Sequence, residues 1–298
     1  MNLFERLVVE AMHNQADLAS LRVVVEKELL HHDILREMSM AGLLGNLTFI
    51  GGTCLRACYG SNRLSEDLDF TGGMEFKREI LSDLGAVLVH RLSAKYGLKV
   101  TVDAPKKESG NVDTWKLKII IRPEQKMLPA QEINIDICAV PSYDRRPLML
   151  RNIYGVEMGT SGLIIQAQSR EEILADKIIA LALRANRLKN RDLWDVVWLK
   201  QQGVLLPLHL ISKKIFDRNV SPTEFIELLR ERQLLLEREP AVRLDFVREM
   251  KRFLPVHLIA ETVENQAFWE FLSDLVRTEC EQVIRMLRKD SNPLTFTM

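Results

Sequence analysis

The segment FIGGTCLRACYGSNRLSEDLDF, residues 49–70, constrains the fold more than any other stretch of the chain. Leu47 to Ile50 are strand-like and end at Gly51-Gly52, after which Thr53 is placed to cap a short helix carrying Leu55 and Cys58. A strand, a turn and a helix in so few residues need a tightly turning backbone. Paired glycines also leave N–H groups uncovered by side chains at the positive end of a helix dipole, which suits a triphosphate. The segment closes on Asp67-Leu68-Asp69-Phe70. Residues two apart in a strand share a face, so Asp67 and Asp69 project together while Leu68 and Phe70 point into a core. Two carboxylates held that close repel one another unless a cation lies between them.

A second stretch, EINIDIC, has the complementary pattern: Ile133, Ile135 and Ile137 take one face, leaving Glu132, Asn134 and Asp136 on the other. Two acid-bearing strands are what a pair of Mg²⁺ ions needs, with Asp136 as third ligand and Glu132 as the alternative. Arg63 and Ser65 lie between the glycines and the acids, where they either contact phosphate or stabilise the loop.

Around this segment the periodicity alternates between helix and strand. Leu18, Leu21, Val25 and Leu29, then Leu30, Ile34 and Met38, place helices over residues 3–44. After Gly72-Gly73, Ile80, Leu84, Val87, Leu88 and Leu92 mark one side of a helix from Phe76 to Tyr96. The strand candidates LKVTV, TWKLKIII and EINIDIC follow. From Ser169 onward the pattern is almost wholly helical, several segments opening on capping residues or an early proline. The expectation is an α+β chain: a mixed-sheet core with N-terminal helices over 1–165, then an all-helical domain over 166–298.

With those residues in view, the 49–70 segment resembles the signature of the AbiEii/AbiGii toxin family of nucleotidyltransferases, within the polymerase-beta-like superfamily. There, Gly-Gly-Thr/Ser precedes an Arg-x-Ser-x-Asp-Leu-Asp-Phe element, and HHDILREMSMAGLLGNLTF is similar to the family's lead-in. The resemblance implies that Gly51, Gly52 and Thr53 form the nucleotide loop, that Ser65 is the motif serine, and that Asp67 and Asp69 are the metal-binding acids. REEILADKIIALALRANRLKNRDLWDV resembles the later motifs, in which Lys177 is the site lysine and Asp192 the aspartate that completes the site, with Arg191 and Asp195 beside them. A lysine there neutralises nucleotide phosphate charge, and an aspartate opposite holds it in place or accepts a proton. The resemblance further implies a toxin of a toxin-antitoxin or phage-defence system, with an NTP as substrate, tRNA as a candidate acceptor, as in part of the family, and a cognate antitoxin as partner. It covers roughly residues 30–200.

Composition adds bounds. The chain has 298 residues, 47% hydrophobic, enough for a real core, and 41 basic residues balance 41 acidic ones, so any hold on nucleic acid must come from a local patch. Lys106, Lys107, Lys116, Lys118, Arg122 and Lys126 surround one strand pair and its loops and read as solvated charge, with contact to RNA phosphate as the alternative. Cys54, Cys58, Cys138 and Cys280 form no CxxC pair, which argues against zinc and disulfides and for a reducing cytoplasm. Neither a signal peptide nor a membrane span is expected. His31-His32 reads as solvated helix surface, and Trp194, Trp198 and Trp269 as helix-packing core. Two other functions stay open: transfer to a small-molecule acceptor of the antibiotic type, and a non-catalytic nucleotide-binding module.

Overall fold

The apolar stripe of the first forty residues builds two helices. A computed structural model describes residues 1–106, 110–125, 127, 129–184 and 188–291; Lys107 and Lys126, noted above, lie outside the described residues. Helix α1 (Leu3–Asn14) starts on Asn2, whose side chain accepts the Glu5 N–H at 2.8 Å. A 3₁₀ turn over Ala16–Leu21 then separates it from α2 (Arg22–Met40), so Leu18 and Leu21 are not on the helix that carries Val25 and Leu29. Helix α2 is enclosed on several sides, with Val25, Leu29, Leu30, Ile34, Leu35 and Met38 fully buried.

That enclosure corrects the reading of His31 and His32, which are 2% and 6% exposed. His32 Nδ1 meets Thr160 Oγ1 at 3.1 Å. Burial, with His31 adding to it, pulls the His32 pKa down from 6.5 to about 4. Its folded pKa is therefore below its unfolded one, so the neutral ring's stabilisation is complete above the unfolded pKa and is lost as pH falls toward the folded one. The loss expected from a shift of 6.5 to about 4 is on the order of 3 kcal/mol. Urea unfolding at about pH 7 and about pH 4.5 measures it. The His32→Gln variant is expected to show a shallower pH dependence; an equally steep one refutes this assignment.

Among the described residues, seven strands form one mixed sheet: β1 (Thr48–Ile50), β2 (Leu68–Thr71), β3 (Lys99–Asp103), β4 (Val112–Ile120), β5 (Gln131–Cys138), β6 (Arg145–Met149) and β7 (Ile164–Gln168), in the order β3-β4-β5-β2-β1-β7-β6. Strand β2 runs parallel to β5 and β1 parallel to β7; the other neighbours are antiparallel. Strands β6 and β7 are additional to those expected. Four of the five β6 residues are exposed, so it lacks the apolar alternation that marks a strand and is held as an edge by its register with β7. Elsewhere the alternation holds: Ile133, Ile135 and Ile137 are buried, as are Phe49 and Phe70, register partners whose rings lie 5.1 Å apart. The helix α3 (Gly51–Cys54) passes into a π-helical turn over Leu55–Tyr59, and α4 (Leu84–Tyr96) follows a 3₁₀ turn over Arg78–Leu81. Ile80 sits on that turn and is 49% exposed, off the buried side expected for it.

The chain divides into two compact units, one of Met1–Gln168 with Phe253–Pro255, the other of Ser169–Arg252 with the residues from Val256 on. The second unit is helical: α5 (Arg170–Leu183), α6 (Asn190–Gln201), α7 (Leu208–Phe216), α8 (Pro222–Arg238), α9 (Pro240–Met250), the single turn α10 (Val256–Leu258) and α11 (Gln266–Ser291). Ser169 and Ser221 cap α5 and α8 by accepting the N–H groups of Glu172 and Glu224, at 3.1 and 3.2 Å. Trp194, Trp198 and Trp269 are buried. A mixed sheet with helices followed by a helical half is the α+β class expected. No helix among the described residues is long and apolar enough to cross a membrane.

Candidate active site

The turn after β1 is built around Gly51, whose φ of +75° is in the left-handed region that side chains disfavour. Register places Ile50 opposite Asp69, and a Cβ added at Gly51 would lie 2.8 Å from Asp69 Oδ2. The glycine is thus needed twice, for its backbone angle and for the carboxylate packed against it. A Gly51→Ala change is expected to cost about 1–2 kcal/mol in the backbone. Asp69 rotates aside, and a reacting group misplaced by about 1 Å lowers turnover by roughly 100-fold. Transfer kinetics with a thermal melt check this; near-normal turnover in the folded variant would show that Asp69 need not sit where it does.

Thr53 does not cap the helix. Ile50 is the residue ahead of α3 and makes no side-chain cap, whereas the Thr53 hydroxyl meets Ser65 Oγ at 2.6 Å and donates to the Asp67 carbonyl. Thr53 and Ser65, both buried, therefore brace the glycine turn against the segment that leads into the acids. Arg63 is buried in that segment, with Nη1 donating to the Leu64 carbonyl at 2.9 Å.

The acids come together in part. Asp69 and Asp136 are register partners on the parallel pair β2 and β5, side by side on strands that lie about 4.8 Å apart. Thr114, the partner of Asp136 on β4, donates its hydroxyl to Asp136 Oδ1 at 2.6 Å. Asp67 sits one residue ahead of β2, where its Oδ1 accepts the Asn134 N–H at 3.1 Å, an arrangement that offsets repulsion among neighbouring carboxylates. No three His, Cys, Asp or Glu side chains converge tightly enough to ligate one ion among the described residues. Glu132, the alternative to Asp136, lies four residues away along β5 and faces Lys116 and Lys118 at 3.8 and 3.7 Å. Asp136, not Glu132, is the acid beside Asp69.

Sequence reasoning missed the group that anchors this segment. Glu28 of α2 is 4% exposed; it accepts the Ser65 N–H at 2.7 Å, Arg56 Nε at 3.1 Å and the Tyr154 hydroxyl at 2.5 Å. His31 Nε2 meets the Glu66 carbonyl at 3.0 Å from the same helix. A buried carboxylate is costly unless fully hydrogen-bonded, so Glu28 fixes its partners as firmly as they fix it. The signal was present: Glu28 interrupts the apolar stripe of Val24, Val25 and Leu35, where an acid has no solvent to face.

In the helical unit, Lys177 of α5 meets two acids of α6, Asp192 Oδ1 at 2.5 Å and Asp195 Oδ2 at 2.8 Å. All three are buried, and Arg184 Nη2 approaches Asp192 Oδ2 at 3.2 Å. Burial pushes the Asp192 carboxyl up, but Lys177, Lys189 and Arg184 outweigh it and hold the group well below the usual carboxylate range. Lys177 and Asp192 are thus partners. Arg191 instead pairs with Glu249 at 3.4 Å.

Among solved structures, the chain is similar to JHP933 from Helicobacter pylori, at 17% identity and a TM-score of 0.44 over 90% of this chain and 97% of that one. It is also similar to an antigenic nucleotidyltransferase-like protein from Paracoccidioides brasiliensis, at 15% identity and a TM-score of 0.35 over 78% and 96%. Similarity this remote assigns no residue a role. No curated protein matches the chain. The family model for the nucleotidyl transferase AbiEii toxin of type IV toxin-antitoxin systems matches residues 33–273, a span that takes in the glycine turn, Asp67, Asp69, Asp136 and the Lys177–Asp192 pair. The chain belongs to this family of toxins and is a nucleotidyltransferase.

Proposed function

We propose that the protein moves a nucleoside monophosphate from an NTP to a hydroxyl of an RNA acceptor, tRNA in the first instance, and releases pyrophosphate. The observation that carries this reading is the pairing of Asp69 with Asp136 across β2 and β5, beside a glycine turn against which the Asp69 carboxylate packs. Asp67, Asp69 and Asp136 offer only carboxylate oxygens, the donor type a hard divalent cation takes, so the set fits two Mg²⁺ ions. Such ions, when bound, neutralise phosphate charge and orient the reacting oxygens.

The protein's own groups divide the remaining work. The Gly51-Gly52 turn receives the triphosphate on backbone N–H groups, with Thr53 and Ser65 holding the turn and Arg63 holding the segment between turn and acids. The acceptor oxygen bonds the α-phosphorus as the bond to the bridging oxygen breaks, and pyrophosphate leaves with the electron pair. Asp136, oriented by Thr114, takes the hydroxyl proton. Lys177 and Asp192 are assigned to the same reaction by the family motifs they match, Lys177 to phosphate charge and Asp192 to holding the lysine. In the cell the reaction is assigned to the cytoplasm, opposed by a cognate antitoxin.

The test incubates purified protein with Mg²⁺, total RNA and each α-³²P-labelled NTP in turn, against an Asp67→Asn/Asp69→Asn control. Label entering an RNA band only with the intact acids is the expected result. Label that stays out of RNA while NTP is still consumed through those acids overturns the RNA acceptor in favour of a small molecule.

A further inference from the structure

We propose that a cavity on the β3–β4 face of the sheet is the acceptor side of the reaction and binds the phosphodiester backbone of a polynucleotide through Lys106, Lys116 and Lys118. The cavity has a volume of about 700 Å³ and is lined by these lysines together with Asp103 and Thr114. Thr114, Lys116 and Lys118 alternate along β4 and so share one face. Thr114 ties the cavity to the chemistry, because the hydroxyl that lines it also bonds Asp136.

Direction follows from the strand order, which runs β1, β2, β5, β4: the glycine turn, Asp69, Asp136, then the lysines. In-line displacement puts nucleophile and leaving group on opposite sides of the reacting phosphorus. With pyrophosphate toward the glycine turn, the acceptor approaches from β5 and β4; this step rests on the transferase reading above.

The cavity's charge selects the acceptor. Lys116 and Lys118 face Glu132 and Asp103 at 3.6–3.8 Å, and the groups are 38–52% exposed. Pairs so loose and wet contribute little, so exchanging a carboxylate for a phosphate costs little. Among the lining residues three lysines stand against one acid, Asp103, a local positive surplus on a chain whose formal net charge is zero. A polycationic acceptor of the aminoglycoside type meets like charge there.

Fluorescence anisotropy tests this with the full chain and a labelled single-stranded RNA carrying a free 3′ hydroxyl, and with the DNA of the same sequence, across a salt series. Each lost phosphate contact removes about 0.7 from the slope of log K against log salt, so Lys116→Gln/Lys118→Gln is expected to flatten it by about 1.4. Lys116→Arg/Lys118→Arg is expected to retain the slope, which excludes a folding defect. In turnover the Gln variant is expected to raise the acceptor KM and leave the NTP KM and kcat unchanged. An unchanged slope with both oligonucleotides, or an unchanged acceptor KM, overturns the proposal. Labelling that still depends on Asp69 would in that case leave the transferase reading intact.

Discussion

Replacing Asp69 by Asn is expected to abolish nucleotide transfer while leaving the fold as stable as before, or slightly more so. The amide has the shape of the carboxylate, so packing against Gly51 is retained, and the substitution removes a charge beside Asp136 that the fold must otherwise tolerate. An amide cannot supply the anionic oxygen that a divalent cation and its bound phosphates require. Losing several kcal/mol of charge stabilisation, about 4, corresponds to roughly a thousandfold in rate. Two measurements check the expectation together: a thermal melt that is level or raised, and incorporation of labelled nucleotide that falls to background. Expression of the wild-type chain is expected to slow growth and the variant to relieve it; equal toxicity of the two would refute catalysis as the source of toxicity.

Changing Lys177 to Met is expected to have the largest effect on stability. The substitution fills much of the lysine's volume but leaves Asp192 and Asp195 without their shared cation, at 3% and 0% exposure. Breaking a buried ion pair from one side costs about 3–5 kcal/mol, because the carboxylates lose their shared cation where little solvent can replace it. Asp192 keeps Arg184 at 3.2 Å, so the compensating change is placed at the other acid. Adding Asp195→Asn is expected to restore a large part of the lost stability, as a double-mutant cycle in urea would show. Transfer by the restored double variant separates two roles: loss per folded molecule supports the assignment of Lys177 to phosphate, and near-normal transfer makes it a structural residue.

The two groups of candidate residues differed in how far they were legible. Asp69, Asp136 and Gly51 follow from rules that act over a few residues: period-two alternation sets the face, and paired glycines set the turn. The lysine-to-aspartate match was legible through motif likeness alone, because Lys177 and Asp192 lie fifteen positions apart on two different helices. The roles of Thr53 and Glu28 depend on pairings across 12 and 37 residues, at Ser65 Oγ and the Ser65 N–H. Local reading made Thr53 a cap, and it could not see that the residues opposite offered better partners.

Local chemistry was enough to place the strand-turn-helix unit, the acid-bearing strands and the helical half, since alternation, capping and glycine geometry are properties of short segments. It could not place β6, whose exposed residues become a strand only by pairing with β7, nor the burial of His31 and His32, which depends on what packs around α2. It put Asp136 ahead of Glu132, with which it shares a face of β5, without the contact that separates them. Register with β2 put Asp69 beside Asp136, and that pairing is a long-range contact which no single strand specifies.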